Sequence, residues 1–177
     1  SKELEINPIR HILNTSGISN YPQAQFDMVR LGIGLYGISN DANEQKFLEN
    51  VGTLKSIISQ VRTIKAGESV GYGRRFIAEK ETRIATIPIG YADGIRRSWG
   101  NGLGFVMINN QKATIVGSIC MDMLMVDVTT IPCIEGNEVI VLGENPSATL
   151  MANQLNTIPY EILTGISQRV KRIFYRE

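Results

Sequence analysis

Between residues 54 and 143 the chain breaks into short β-branched segments divided by turn residues, and that pattern constrains the fold most. The segments are 56–64, 83–89, 105–108, 113–116 and 139–142. Turn signals separate them at Ala66-Gly67, Asp93-Gly94, Gly100-Asn101-Gly102, Asn109-Asn110 and Gly136-Asn137. Branched side chains fit a pleated, half-buried surface, and many short strands at this spacing predict a barrel or sandwich. The stretch 108–113 reads as a hairpin. Met121, Met123 and Met125 alternate, which reads as the core face of another strand rather than as a soft-metal site.

The flanks read differently. Residues 10–13 form a short predicted strand that ends in the turn-prone Asn14-Thr15-Ser16-Gly17. Residues 21–29 suit a short helix, 30–37 a glycine-broken strand and loop, and 38–50 a polar connector. At the other end, Ser147 can cap a helix that runs to about Leu155. A second helix starts at Pro159, whose fixed φ suits a first helical position, and repeats apolar residues at Ile162, Ile166 and Val170.

Composition removes several functions. Lys and Arg number 18 against 17 Asp and Glu, a net charge of +1, which argues against nucleic-acid binding driven by excess positive charge. No apolar run approaches the roughly 20 residues of a membrane-spanning helix. There is no secretion-signal pattern, and the opening Ser1-Lys2, without Met, fits a processed or truncated piece. Cys120 and Cys133 are the only cysteines. They make no C-x-x-C motif or disulfide scaffold, so a reducing cytoplasm is expected. His11 is the single histidine, which excludes a His-rich zinc site, and no carboxylate metal motif or G-x-S-x-G elbow is present. Chemistry must come from Tyr, Arg, Asp, Cys, backbone groups or an external cofactor.

Single motifs stay ambiguous. Gly32-Ile33-Gly34-Leu35-Tyr36-Gly37 matches G-x-G-x-x-G, but the polar stretch after it lacks the apolar stripe of a dinucleotide-binding helix. Its glycines better suit a tight loop or the approach of backbone amides to an anion. Asn14-Thr15-Ser16 fits a glycosylation sequon without any secretion context. His11 alone reads as a satisfied histidine, and Gly71-Tyr72-Gly73 as a hairpin tip.

In order, the motifs say more. They are His11-Ile12-Leu13-Asn14-Thr15, Arg30-Leu31-Gly32-Ile33-Gly34-Leu35-Tyr36-Gly37 and Gly71-Tyr72-Gly73. After these come Ile89-Gly90-Tyr91-Ala92-Asp93-Gly94 with Arg97, Gly117-Ser118-Ile119-Cys120-Met121-Asp122, and Pro159-Tyr160-Glu161 with Arg169. This series closely resembles the C-terminal portion of the bacterial alanine racemases, which are pyridoxal-phosphate enzymes. The resemblance covers nearly the whole chain but only about half of the family's protein.

The resemblance implies a mainly β fold. A Greek-key β-barrel-like domain with a C-terminal helix and a final strand near Ile173 would occupy residues 41–177. Residues 1–40 would be the truncated end of the cofactor-binding (β/α)8 barrel, its last two strands. It implies pyridoxal phosphate as cofactor in the intact enzyme. Thr15, the backbone of Gly32 and Ile33, and the Tyr160 hydroxyl would hold its phosphate. The family usually has Ser at the Thr15 position, and the hydroxyl is kept. Arg30 would face the pyridine nitrogen, with His11 orienting it. An arginine, never deprotonated in proteins, discourages protonation of that nitrogen.

The implied activity is interconversion of L- and D-alanine by two-base proton transfer, supplying D-alanine for peptidoglycan. Tyr72 would be one catalytic base. The other is the Schiff-base lysine, whose motif no lysine of this chain matches, so the chain alone is expected to be inactive. The backbone amide of Met121 would meet the substrate carboxylate. Tyr91, Arg97 and Asp122 would line the access channel, where Ser118 replaces a frequent arginine. A cytoplasmic homodimer with a small-molecule substrate follows, without metal, nucleic acid or membrane. Two alternatives stand beside this reading. A decarboxylase of the same fold would carry a Cys-Asp pair, whereas here Met121 separates Cys120 from Asp122. A non-catalytic dimerisation β-domain would not need Arg30, Tyr72 and Tyr160 together.

Overall fold

A computed structural model describes residues 6–39 and 41–175. The expected domain boundary at residue 40 and the opening Ser1-Lys2 lie outside the described residues. The chain divides into two units, Ser1–Gly52 and Thr53–Glu177.

In the first unit, helix α1 spans Thr15–Asn20 and α2 spans Ala42–Gln45. Asn14, the sequon asparagine, caps α1 by accepting the Gly17 amide hydrogen at 3.0 Å, and Asp41 caps α2. The helix expected over 21–29 is thus displaced toward the N-terminus and is followed by a 3-10 turn at Pro22–Ala24. The two expected barrel strands are reduced to a single parallel bridge between His11 and Met28. Around it, Asp27 N–H donates to the Arg10 carbonyl at 3.1 Å and Arg30 N–H to the Leu13 carbonyl at 2.8 Å. The register is that of neighbouring parallel strands. A longer ladder does not form, because a lone strand pair is marginal and parallel sheets rely on cover on both faces.

Among its described residues the second unit holds nine strands. They are β1 (Leu54–Ile57), β2 (Gln60–Ile64), β3 (Ser69–Val70), β4 (Phe76–Ile77), β5 (Thr82–Ile87), β6 (Phe105–Ile108), β7 (Gln111–Val116), β8 (Leu124–Asp127) and β9 (Glu138–Leu142). Helices α3 (Ala148–Gln154) and α4 (Pro159–Gly165) follow. Seven strands make one antiparallel sheet in the order β1-β9-β6-β7-β8-β5-β2, and β3 and β4 make a separate hairpin. The order β9-β6-β7-β8 is a Greek key: three successive strands, with the fourth returning beside the first.

The sheet curls, and its sequence shows how. The segment read as one strand over 56–64 is two, because the chain changes partner in its middle. Ile58 N–H donates to the Asn137 carbonyl next to β9, and Ser59 N–H to the Thr86 carbonyl of β5, both at 2.9 Å. Two residues therefore join the two edge strands, and Ile58 turns fully inward there. Inside the curl lie Ala85, Ile87, Val106, Ile108, Ile115, Leu124, Val126, Val139 and Val141, all fully buried. Asn109 and Asn110 take positive φ at the tight β6–β7 connection, as that hairpin requires. Ser147 caps α3 through the Leu150 amide. Residues 171–175 take no strand conformation, contrary to the strand expected near Ile173.

Candidate active site

Tyr72 stands on the tip of the β3–β4 hairpin. Val70 and Phe76 root that hairpin in a cluster with Ile64, Ala78, Ile84, Val116 and Met125. At the tip, Gly71 and Gly73 take φ of 75° and 70°, a backbone that side-chain-bearing residues rarely adopt. The turn thereby throws the Tyr72 ring outward, 76% exposed.

Beneath it runs a cleft of about 860 Å³, lined among others by Tyr72, Tyr91, Met121, Asp122 and Arg62. Tyr91 comes from a 3-10 turn, Tyr91–Asp93, which is fastened to the loop before β8. Tyr91 N–H donates to the Cys120 carbonyl at 3.0 Å and Ala92 N–H to the Met121 carbonyl at 2.9 Å. Gly90 permits this approach, because a Cβ there would stand 2.3 Å from the Cys120 oxygen. These bonds also correct the reading of the methionines. Strand β8 begins only at Leu124, Met125 is buried, and Met121 and Met123 are exposed on the cleft.

Asp93 is buried in the same turn. Its Oδ2 accepts the Gly90 amide hydrogen at 2.8 Å, and its Oδ1 lies 3.0 Å from Nε of Arg169. Arg169 Nη2 donates to Asp122 Oδ1 at 2.7 Å. Asp93, Arg169 and Arg62 had no role assigned from sequence. Asp93 and Arg169 stand in the quoted motifs, but no local spacing reveals their pairing, and Arg62 carries no motif signal. Arg97 and Tyr160 are exposed and are not among the residues lining the cleft. Ser118 is buried, and its carbonyl accepts the Cys120 thiol hydrogen.

The first unit brings together Thr15, Gly32, Ile33 and Arg30. Thr15 is buried, and its Oγ1 accepts the amide hydrogens of Gly32 at 3.0 Å and Gly34 at 3.4 Å. A Cβ on Gly34 would come within 2.9 Å of Thr15 Cγ2, so a side chain there would push this corner apart. Both amides are thus engaged by the Thr15 oxygen, and the hydroxyl keeps its own hydrogen to donate. Arg30 Nη2 donates to the Ile12 carbonyl at 2.9 Å. The contact expected from His11 is not among the described hydrogen bonds. No cluster of His, Cys, Asp and Glu fit for a metal occurs among the described residues.

A Greek-key β-domain that follows the end of a parallel βα unit defines a two-domain class of protein, and comparison with known families agrees. The description "Alanine racemase, C-terminal domain" matches residues 51–174, and "Alanine racemase, N-terminal domain" matches residues 1–40. The chain belongs to the alanine racemase family. It is 40% identical to alanine racemase 1 of Clostridium acetobutylicum, over 99% of this chain and 47% of that protein. It is 40% identical to alanine racemase of Helicobacter pylori strain P12, over 93% and 47%.

Among solved structures, alanine racemase from D-cycloserine-producing Streptomyces lavendulae aligns with a TM-score of 0.90 at 34% identity, covering 99% of this chain and 48% of that one. The Bartonella henselae enzyme with covalently bound pyridoxal phosphate aligns at 0.86 and 36%, covering 96% and 48%. The chain spans about half the length of the curated relatives it matches. No helix among the described residues is long and apolar enough to cross a membrane.

Proposed function

We propose that this chain is the C-terminal part of a pyridoxal-phosphate-dependent alanine racemase that interconverts L- and D-alanine. The observation that carries the proposal is the outward Tyr72 on its glycine-bounded tip, above a cleft shared with Tyr91, Met121 and Asp122. Racemisation requires a proton to leave one face of the α-carbon and return to the other, so two bases must stand opposite each other. The Tyr72 phenol oxygen is one of them. A lysine supplied by the rest of the enzyme is the second.

In the intact enzyme the Thr15 hydroxyl, the amides of Gly32 and Ile33 and the Tyr160 hydroxyl would hold the cofactor phosphate. The placement of the Thr15 hydroxyl against the backbone of residues 32–34 supports this assignment. Arg30 would face the pyridine nitrogen, with His11 orienting it in the complete site. When bound, the cofactor supplies the electron sink that acidifies the substrate α-hydrogen. Because Arg30 keeps its own proton, it would restrain that sink and limit transamination. The Met121 amide would bind the substrate carboxylate while Tyr91 and Asp122 line its path, and Arg97, outside the cleft lining, would belong to the entry channel beyond it. The enzyme is a cytoplasmic homodimer in which Tyr72 reaches the neighbouring subunit's cofactor, and its D-alanine serves peptidoglycan synthesis. Residues 1–40 are the end of the cofactor barrel and 41–177 the β-domain.

The test compares the full-length protein with this chain. With pyridoxal phosphate, the full-length protein should convert L- to D-alanine, while the chain alone should neither do so nor bind the cofactor covalently. Carbon dioxide release in place of racemisation would establish a decarboxylase. Neither activity, with dimerisation intact, would establish an association domain.

A further inference from the structure

We infer that Arg169 is the positioning residue that holds the cleft's two polar segments in register. This rests on the racemase reading above, since the cleft is taken as the substrate's path. Arg169 follows α4, in a turn where Ser167 N–H donates to the Asp93 carbonyl at 3.0 Å and Val170 N–H to the Ser167 carbonyl at 3.1 Å. From that turn one guanidinium reaches two carboxylates. Its Nε meets Asp93 at 3.0 Å and its Nη2 meets Asp122 at 2.7 Å.

The two carboxylates belong to different segments. Asp93 closes the turn that presents Tyr91, and Asp122 follows Met121 in the adjoining loop of the lining. Only a planar fork with fixed donor directions serves both at once, whereas a lysine is a single point charge on a flexible stem. Half of the Arg169 side chain is exposed, at 52%, while that of Asp93 is 12% exposed. The arginine therefore contributes little burial of its own, and its effect lies in where it holds the other two. Because α4 opens with Pro159-Tyr160, the same side chain ties a third segment of the proposed site to the cleft.

Arg169→Met and Arg169→Lys in the full-length holoenzyme test this. For Arg169→Met, amide exchange at Tyr91 and Ala92 should quicken at least about tenfold while exchange in β5–β8 stays unchanged. KM for alanine should rise about tenfold with kcat within about twofold, the pattern of lost uniform binding. Arg169→Lys should recover only part of either effect. Unchanged exchange at Tyr91 and Ala92 would overturn the inference. So would equal loosening throughout the sheet, which marks a general structural role, or full recovery by lysine, which marks charge alone. If the wild-type enzyme does not racemise alanine, the functional reading fails, and the exchange result still decides whether Arg169 fixes the turn.

Discussion

Asp93 Oδ2 accepts the amide hydrogen of Gly90 at 2.8 Å, in a residue that is only 8% exposed. An acidic side chain thus closes its own turn from inside. Replacing it by alanine leaves the Gly90 amide without its acceptor and Arg169 without one of its two anions. Such a loss at a buried amide costs about 1–3 kcal/mol. Asp93→Ala should lower the urea midpoint accordingly, and an unchanged midpoint would show that the turn holds by its backbone bonds alone.

Gly90→Ala tests the same contact from the other side. The added Cβ would stand 2.3 Å from the Cys120 carbonyl oxygen and 2.4 Å from that of Met121. Backbone must move, at a cost of about 1–3 kcal/mol or more. Chemical shifts should change at Tyr91, Ala92, Cys120 and Met121 and stay fixed in β6 and β7.

The two cysteines should separate by reactivity. Burial pushes the Cys133 thiol up from its ordinary range, while Cys120 is half-buried beside the cleft. Because the thiolate is the reacting form, iodoacetamide at neutral pH should modify Cys120 and spare Cys133. Mass spectrometry of the native protein checks this, and equal labelling would contradict it.

Arg10 donates to Asp27 through Nε and Nη2 and through its backbone amide, and the side-chain bond holds the Asp27 carboxyl at about 2, below the ordinary 3.8. A depressed folded value means that the pair stabilises the fold fully above about 3.8 and that this is lost as pH falls toward 2. An NMR titration of the Asp27 carboxyl should give a midpoint near 2 that rises in Arg10→Ala. A midpoint at the ordinary value in the parent protein would show that the pair does not persist in solution.

What the sequence revealed followed the range of each interaction. The Asn109-Asn110 turn and the Ser147 cap were legible because each is decided within a few residues. The partner change at Ile58-Ser59 was not, because β9 and β5 decide it from far along the chain. The alternation of Met121, Met123 and Met125 misled for a similar reason: the carbonyls of Cys120 and Met121 bind the Tyr91 turn, and the strand starts later. Motif order pointed to Tyr72, Tyr91, Met121 and Asp122, which the fold gathers on one cleft. No spacing could pair Arg169 with Asp93 and Asp122, which are brought to it only by the docking of α4.

The most direct measurement of the account is α-hydrogen exchange with solvent deuterium in the full-length Tyr72→Phe enzyme, followed separately for L- and D-alanine. If Tyr72 is one of two opposed bases, exchange survives for the enantiomer whose hydrogen faces the lysine and fails for the other. Equal loss for both enantiomers, or exchange unchanged for both, would contradict the assignment of Tyr72 as a base.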